Sequence, residues 1–171
     1  NALMSSDLLC DEGAANHMVL SRGHGAPGFH LFVYGKSGAD PQKPKLFPAR
    51  QHRVAFESIA RRHGIVQNRT LFLQQSPDAI DAGVFHNDVI ALSTCDRMIV
   101  HEHAFIDAHR QQLLKAAENG QGWRVREVRA DELSLAEAVK TYLFNSQYLR
   151  LPDGSYVLVV PQESAESQQV S

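Results

Sequence analysis

A chain of 171 residues, 43% hydrophobic and 21% charged, has the composition of an ordinary globular domain or a large piece of one. Its 17 Lys and Arg against 19 Asp and Glu leave a net charge of -2 with no run of five like charges, which argues against a nucleic-acid or membrane-surface footprint. No apolar stretch approaches the roughly 18 residues of a spanning helix, and two cysteines, Cys10 and Cys95, are too few for a disulfide framework and fit a reducing cytoplasm.

In chain order, residues 16–21 and the "GFHLFVYG" stretch around 29–34 read as strands, separated by the Gly- and Pro-marked turn "RGHGAPG". "PKLFPARQ" is a Pro-bounded extended connector. Val54, Ala55, Ile59 and Ala60 recur at helical spacing between Arg50 and His63, and Gly64 supplies a stop. "RTLFLQQ" is a short strand. The pattern then returns. "FHNDVIALS" and "RMIVHEHAF" read as strands, "DAHRQQLLKAAENG" as a helix capped by Asp107 and closed by Gly120, and "WRVREV" as a strand. A further helix is expected through "SLAEAVKTYLFNSQYL", with Ser134 and Glu137 at capping-box spacing, followed by the turn "PDG" and the strand "SYVLVVP".

Two strand–strand–helix–strand units are thus expected at about 11–75 and 80–129, with part of a third at 133–161. A unit of that kind cannot close a core alone, so the repeats should pack about a shared axis. Polar clusters fall at matching places in the first two units. "DEGAANH" carries Asp11, Glu12, Asn16 and His17 at the start of one first strand, and His86, Asn87 and Asp88 interrupt the other. Three adjacent polar side chains in an apolar strand need partners or a purpose. Convergence of the two clusters would make a pocket of carboxylates and an imidazole, a combination suited to a planar guanidinium and to proton transfer.

The segments "DEGAANH", "FVYG", "PARQ", "DAGVFHNDVIAL", "YLFNSQ" and "LVVP" resemble those of the succinylarginine dihydrolases, a family of the pentein, or guanidino-group-modifying, superfamily. The resemblance runs over nearly the whole chain. It implies an α/β fold, a five-bladed propeller of ββαβ modules of which two to three blades are present here as a single partial domain. It also implies hydrolysis of N2-succinyl-L-arginine with two waters to N2-succinyl-L-ornithine, two ammonia and carbon dioxide, with no cofactor and no metal, in the cytoplasm, and a homo-oligomer is expected. By motif, Glu12 resembles the acidic residue that polarises the guanidinium, His86 the general acid/base, Arg50 a substrate-binding residue that would pair with a substrate carboxylate, and Asp88 a second carboxylate on the guanidinium.

One departure stands out. The family's nucleophilic cysteine lies in a glycine-rich segment of the type "GGGPAC", and no such segment occurs here. The opening Asn-Ala, the polar close "PQESAESQQVS" and the greater length of family members lead to the expectation of an inactive middle fragment. Cys10, beside two carboxylates, has a neighbourhood that raises rather than lowers a thiol pKa. Two alternatives stay open: a non-catalytic relative that binds arginine-like ligands, and a metal-binding domain using His86, His101 and His103. "HEHAF" lacks the zinc-protease spacing, because position 105 is Phe. His24 and His30 are expected to be exposed beside the "GAPG" turn, and Asn16 and His17 either to line the pocket or to satisfy backbone groups.

Overall fold

The alternation in "HMVL" makes β1 (His17–Leu20) a one-sided strand, with Met18 and Leu20 buried and Val19 exposed. In β2 (Phe29–Tyr34) every residue but His30 is buried, as befits a strand covered on both faces. The computed structural model describes residues 6, 8–9, 14–38, 40, 42–119 and 122–170. β1 pairs antiparallel with β2, Met18 opposite Leu31, and β2 pairs in parallel with β3 (Thr70–Gln74), Leu31 opposite Leu71. A parallel pair demands a crossover, supplied by α1 (Arg53–Arg62), which packs Phe56 and Ala60 against Phe32 and Tyr34 and also buries Ala55. His52 caps α1, its Nδ1 accepting from the Val54 amide at 3.2 Å, and Arg61 and Arg62 sit in the last turn, where positive charge suits the helix dipole.

After the short α2 (Pro77–Asp81), the same order recurs. β4 (Ala91–Thr94) and β5 (Arg97–His101) form an antiparallel hairpin whose turn holds Cys95 at φ 38°, and α3 (Asp107–Glu118) carries the chain to β6 (Arg124–Val128), parallel to β5. Asp107 is the first residue of α3 and Ile106 its cap, so the cap falls one position before the expected Asp107, and Gly120 lies outside the described residues. α3 is hooked onto the first sheet by its His109, whose Nδ1 accepts from the Gln74 amide at 2.8 Å. A shared core that includes Leu31, Leu73, Ile90, Val100, Leu113 and Trp123 fuses the two sheets.

The third stretch departs from the sequence expectation. Ser134 caps α4 as expected, its Oγ accepting from the Glu137 amide at 3.2 Å, but α4 covers only Leu135–Thr141. Tyr142 turns left-handed at φ 53°, a 3-10 turn follows at Leu143–Asn145, and the remainder becomes β7 (Gln147–Arg150), paired antiparallel with β8 (Tyr156–Val159). Burial of Phe144 beside Leu92, Leu133 and Ala138 fixes the break, and β7 lies against β4. Tertiary packing here overrides a run whose spacing also suits a helix. β1 lies against β4 in the same way, so the first strands of the three sheets are neighbours in sequence order, and α5 (Gln162–Ala165) follows β8. Among the described residues the architecture is a mixed α/β fold of three small sheets. Among the described residues no helix is long and apolar enough to cross a membrane.

His30 is not exposed as the sequence led one to expect. It lies half-buried in β2, its Nδ1 3.0 Å from Nε2 of His17 in a stack with Phe32, whereas His24 is exposed. Burial, with repulsion from His30 and His63, lowers His17 from the ordinary 6.5 to about 4. The unfolded chain therefore binds more protons than the folded one between those two values, and stability falls as pH drops through that window. Because the ring is only half-buried, the full shift overstates the effect, and about 1–2 kcal/mol is expected after solvent screening. Chemical denaturation between pH 4 and pH 7 should show that slope, and His17→Phe should reduce it, with His30, His101 and His109, also lowered by burial, supplying the rest. An unchanged slope in the variant would remove His17 as its source.

Candidate active site

The polar triplet His86-Asn87-Asp88 is not inside a strand. His86 is extended (φ -136°, ψ 157°) and caps a 3-10 turn at Asn87–Val89, closed by Val89 N to His86 O at 3.2 Å and Ile90 N to Asn87 O at 3.0 Å. β4 starts only at Ala91. The turn has a physical rationale. Asn87 can enter the core at 1% exposure while His86 and Asp88 on either side stay half-buried, with Val84 and Ile90 fully buried as anchors. Further 3-10 turns precede the other first strands, Ala14–Asn16 before β1 and Leu143–Asn145 before β7. The matching place of the polar residues is thus the turn before each first strand.

Asn16 joins these segments. Fully buried, it donates from Nδ2 to the Val33 carbonyl and to Gln51 Oε1, both at 2.9 Å, and accepts at Oδ1 from the Asn87 amide at 3.0 Å. Asn87 in turn donates from Nδ2 to Met18 Sδ at 3.4 Å. Of the two roles open to Asn16, the structure gives it backbone satisfaction. Gln51, 1% exposed, holds a left-handed backbone at φ 45°. For a residue other than glycine, such a conformation stores about 1–3 kcal/mol. Among the described residues Gln51 Nε2 and Asn87 Oδ1 have no hydrogen-bond partner, and each buried orphan costs about 1–3 kcal/mol.

Arg50, half-buried, is held through its own backbone. The Gly35 amide donates to the Arg50 carbonyl at 2.9 Å and to the Gln51 carbonyl at 3.0 Å. The loop leading to Arg50 is pinned further back by Asp81, whose carboxylate accepts from the amides of Lys45 (2.8 Å), Leu46 (2.7 Å) and Phe47 (3.3 Å). Those amides, Lys45 first, hold the Asp81 carboxyl below its usual range. Phe47 then meets Phe85 edge-on at 5.2 Å, one residue before His86. Glu12 lies outside the described residues, four positions before Asn16. So the structure joins the neighbours of the candidates through Gln51, Asn16 and Asn87, rather than showing direct contact between Arg50 and His86 or Asp88.

Asp88 borders a cavity of about 420 Å³ together with His17, Asn87, Asn145, Ser146 and Gln147, beside the three first strands. Asn145 donates to the Asp88 carbonyl at 3.3 Å. Sequence reading singled out neither Gln51 nor Asn145. The signal was faint: an amide directly after Arg50 in "PARQ", and another in "FNSQ". A larger cavity, about 680 Å³, lies between α1 and α3 and holds none of the candidates, and its Arg53 is already paired with Glu57 at 2.8 Å.

The histidine metal reading fails on geometry. β5 ends at His101, so His101 and His103 do not share a strand face. His101 is 1% exposed, its Nε2–H donating to the Leu133 carbonyl at 2.8 Å while Nδ1 accepts from the His103 amide at 3.1 Å. Both ring nitrogens are committed, and burial lowers the ring's pKa, favouring the neutral form. Cys95 lies in the β4–β5 turn, a free and partly exposed thiol, its carbonyl accepting from the Ser21 amide at 2.7 Å.

Comparison with known proteins agrees with the resemblance in the motifs. The family model described as succinylarginine dihydrolase matches residues 1–171. N-succinylarginine dihydrolase of Aliivibrio fischeri (strain MJ11) is 43% identical over 171 residues, and that of Aliivibrio salmonicida (strain LFI1238) 44% identical over 171. Each alignment covers 99% of this chain and 38% of the relative, so the chain spans well under half the length of these relatives. The candidates Glu12, Arg50, His86 and Asp88, and the amides that join their segments, all fall inside a match that runs from end to end. The chain belongs to the succinylarginine dihydrolase family.

Proposed function

We propose that the protein of which these residues form part hydrolyses the guanidino group of N2-succinyl-L-arginine to N2-succinyl-L-ornithine, two ammonia and carbon dioxide. The observation that carries this reading is the Asn16 junction. It ties the segment after Glu12, the residue after Arg50 and the residue between His86 and Asp88 across separations of 35 and 71 positions. Glu12 and Asp88 would hold the planar cation through paired carboxylate–N–H bonds. Arg50 would fork onto a substrate carboxylate. His86 would protonate the departing ammonia and then deprotonate water.

The nucleophilic thiol is expected from sequence outside these 171 residues, because neither Cys10 nor Cys95 lies in a glycine-rich segment of the family's type. The three sheets, with neighbouring first strands and a 3-10 turn before each, are consistent with sectors of a ββαβ propeller whose axis runs along β1, β4 and β7. A free, partly exposed thiol suits a cytoplasmic setting.

The test is a stoichiometric assay of the full-length protein with N2-succinylarginine. Two ammonia per succinylornithine are expected, with far slower release from free arginine. Ligand uptake by calorimetry without any ammonia would replace this reading with that of a non-catalytic binder.

A further inference from the structure

We propose that Asn16 is the positioning residue of this site, a buried amide that sets Arg50 and the His86–Asp88 turn in register with each other. This inference rests on the functional reading above. Among the described residues Asn16 makes no hydrogen bond to a candidate side chain. It acts through Gln51, adjacent to Arg50, and through the Asn87 amide, between His86 and Asp88. Its third bond, to the Val33 carbonyl, anchors the junction to β2, a strand buried on both faces and fixed in two pairings. One rigid strand therefore carries both arms of the site, through a side chain with two rotatable bonds.

Ordinary core packing does not explain the junction. A purely structural core would favour apolar side chains here, since two polar atoms of the junction, Gln51 Nε2 and Asn87 Oδ1, find no partner among the described residues. It would also avoid the left-handed backbone at Gln51, which has a full side chain at φ 45°. That twist occurs at the residue after Arg50, in a segment where Gly35 already clasps both carbonyls. Local strain and unspent polar capacity gather where two candidate segments meet, which is the signature of geometry held for a purpose rather than for stability.

The experiment uses the full-length protein in four forms: wild type, Asn16→Ala, Gln51→Gly and, as a remote destabilised control, Leu113→Ala in α3. A merely structural Asn16 would behave like the Leu113 variant, with a lower melting temperature and unchanged constants for the folded enzyme. The positioning role predicts that Asn16→Ala lowers kcat by about 100-fold and raises KM by about tenfold, since a displacement near 1 Å is enough for losses of that order. Gln51→Gly relieves the left-handed strain, so it should stay folded. It cuts only the Arg50 arm and should raise KM by about tenfold with kcat within about threefold. Both constants within about threefold of wild type in both variants would overturn the proposal.

Hydrogen exchange at the Asn87 amide gives a readout independent of turnover. Asn16→Ala should speed it far more than Leu113→Ala does, and equal protection in the two would also overturn the proposal. Should wild type release no ammonia, the functional reading fails by itself, and exchange at Asn87 still decides whether Asn16 holds the turn.

Discussion

Replacement of His86 by Asn in the full-length protein should lower ammonia release from N2-succinylarginine by about 1,000-fold, within the range for loss of a general acid/base, and leave the fold standing. The two halves of that expectation have different sources. The structural role of residue 86 is carried by its backbone, whose carbonyl accepts from Val89 and whose extended conformation starts the turn. The half-buried ring makes no hydrogen bond to a described residue, so its replacement by another polar side chain should change stability by less than about 1 kcal/mol. Circular dichroism and a denaturation curve establish the second half, and steady-state kinetics the first. Retained ammonia release would remove His86 from the chemistry. Simultaneous loss of activity and fold would instead move it into the scaffold, contrary to the geometry.

Much of the scaffold was legible in the sequence because it rests on local regularities. α1 shows in the spacing of Val54, Ala55, Ile59 and Ala60, and β2 in a run that is apolar but for His30. Where the reading failed, a distant contact decided the local form. "YLFNSQYL" satisfies helical spacing, yet Phe144 is drawn into the Leu92 and Leu133 cluster and the chain leaves the helix at Tyr142. His30 was expected to be exposed beside the turn because its partner His17 is thirteen positions away. At the site, the polar letters of "FHND" stood out, but their form as a turn did not. Nothing near Asn16 in the chain announces that its side-chain Oδ1 will accept from an amide seventy-one residues later. Residue types reveal which chemistry is available, whereas the junction that arranges it exists only after the two sheets share a core.

Gly35→Ala is the change expected to disturb both stability and substrate binding most for its size. A Cβ at that position would lie 2.4 Å from the Arg50 carbonyl oxygen, 2.9 Å from the Arg50 nitrogen and 3.4 Å from the Ala49 carbonyl carbon. These are backbone atoms, with no rotamer into which they could retreat. The Gly35 amide moreover donates to the carbonyls of Arg50 and Gln51, so the two segments are fastened at the point where the methyl would enter. Overpacking and weakening of those bonds should together cost about 2–4 kcal/mol. The segment forced aside carries Arg50, so kcat/KM for N2-succinylarginine should fall by about 100-fold in the fraction that remains folded, chiefly through KM. Gly64→Ala separates this from a generic glycine effect. There the added Cβ meets open space and the penalty is the left-handed backbone at φ 63°, about 1 kcal/mol, with no route to the site. If Gly35→Ala matched Gly64→Ala in both denaturation midpoint and KM, close approach at position 35 could not be what holds Arg50.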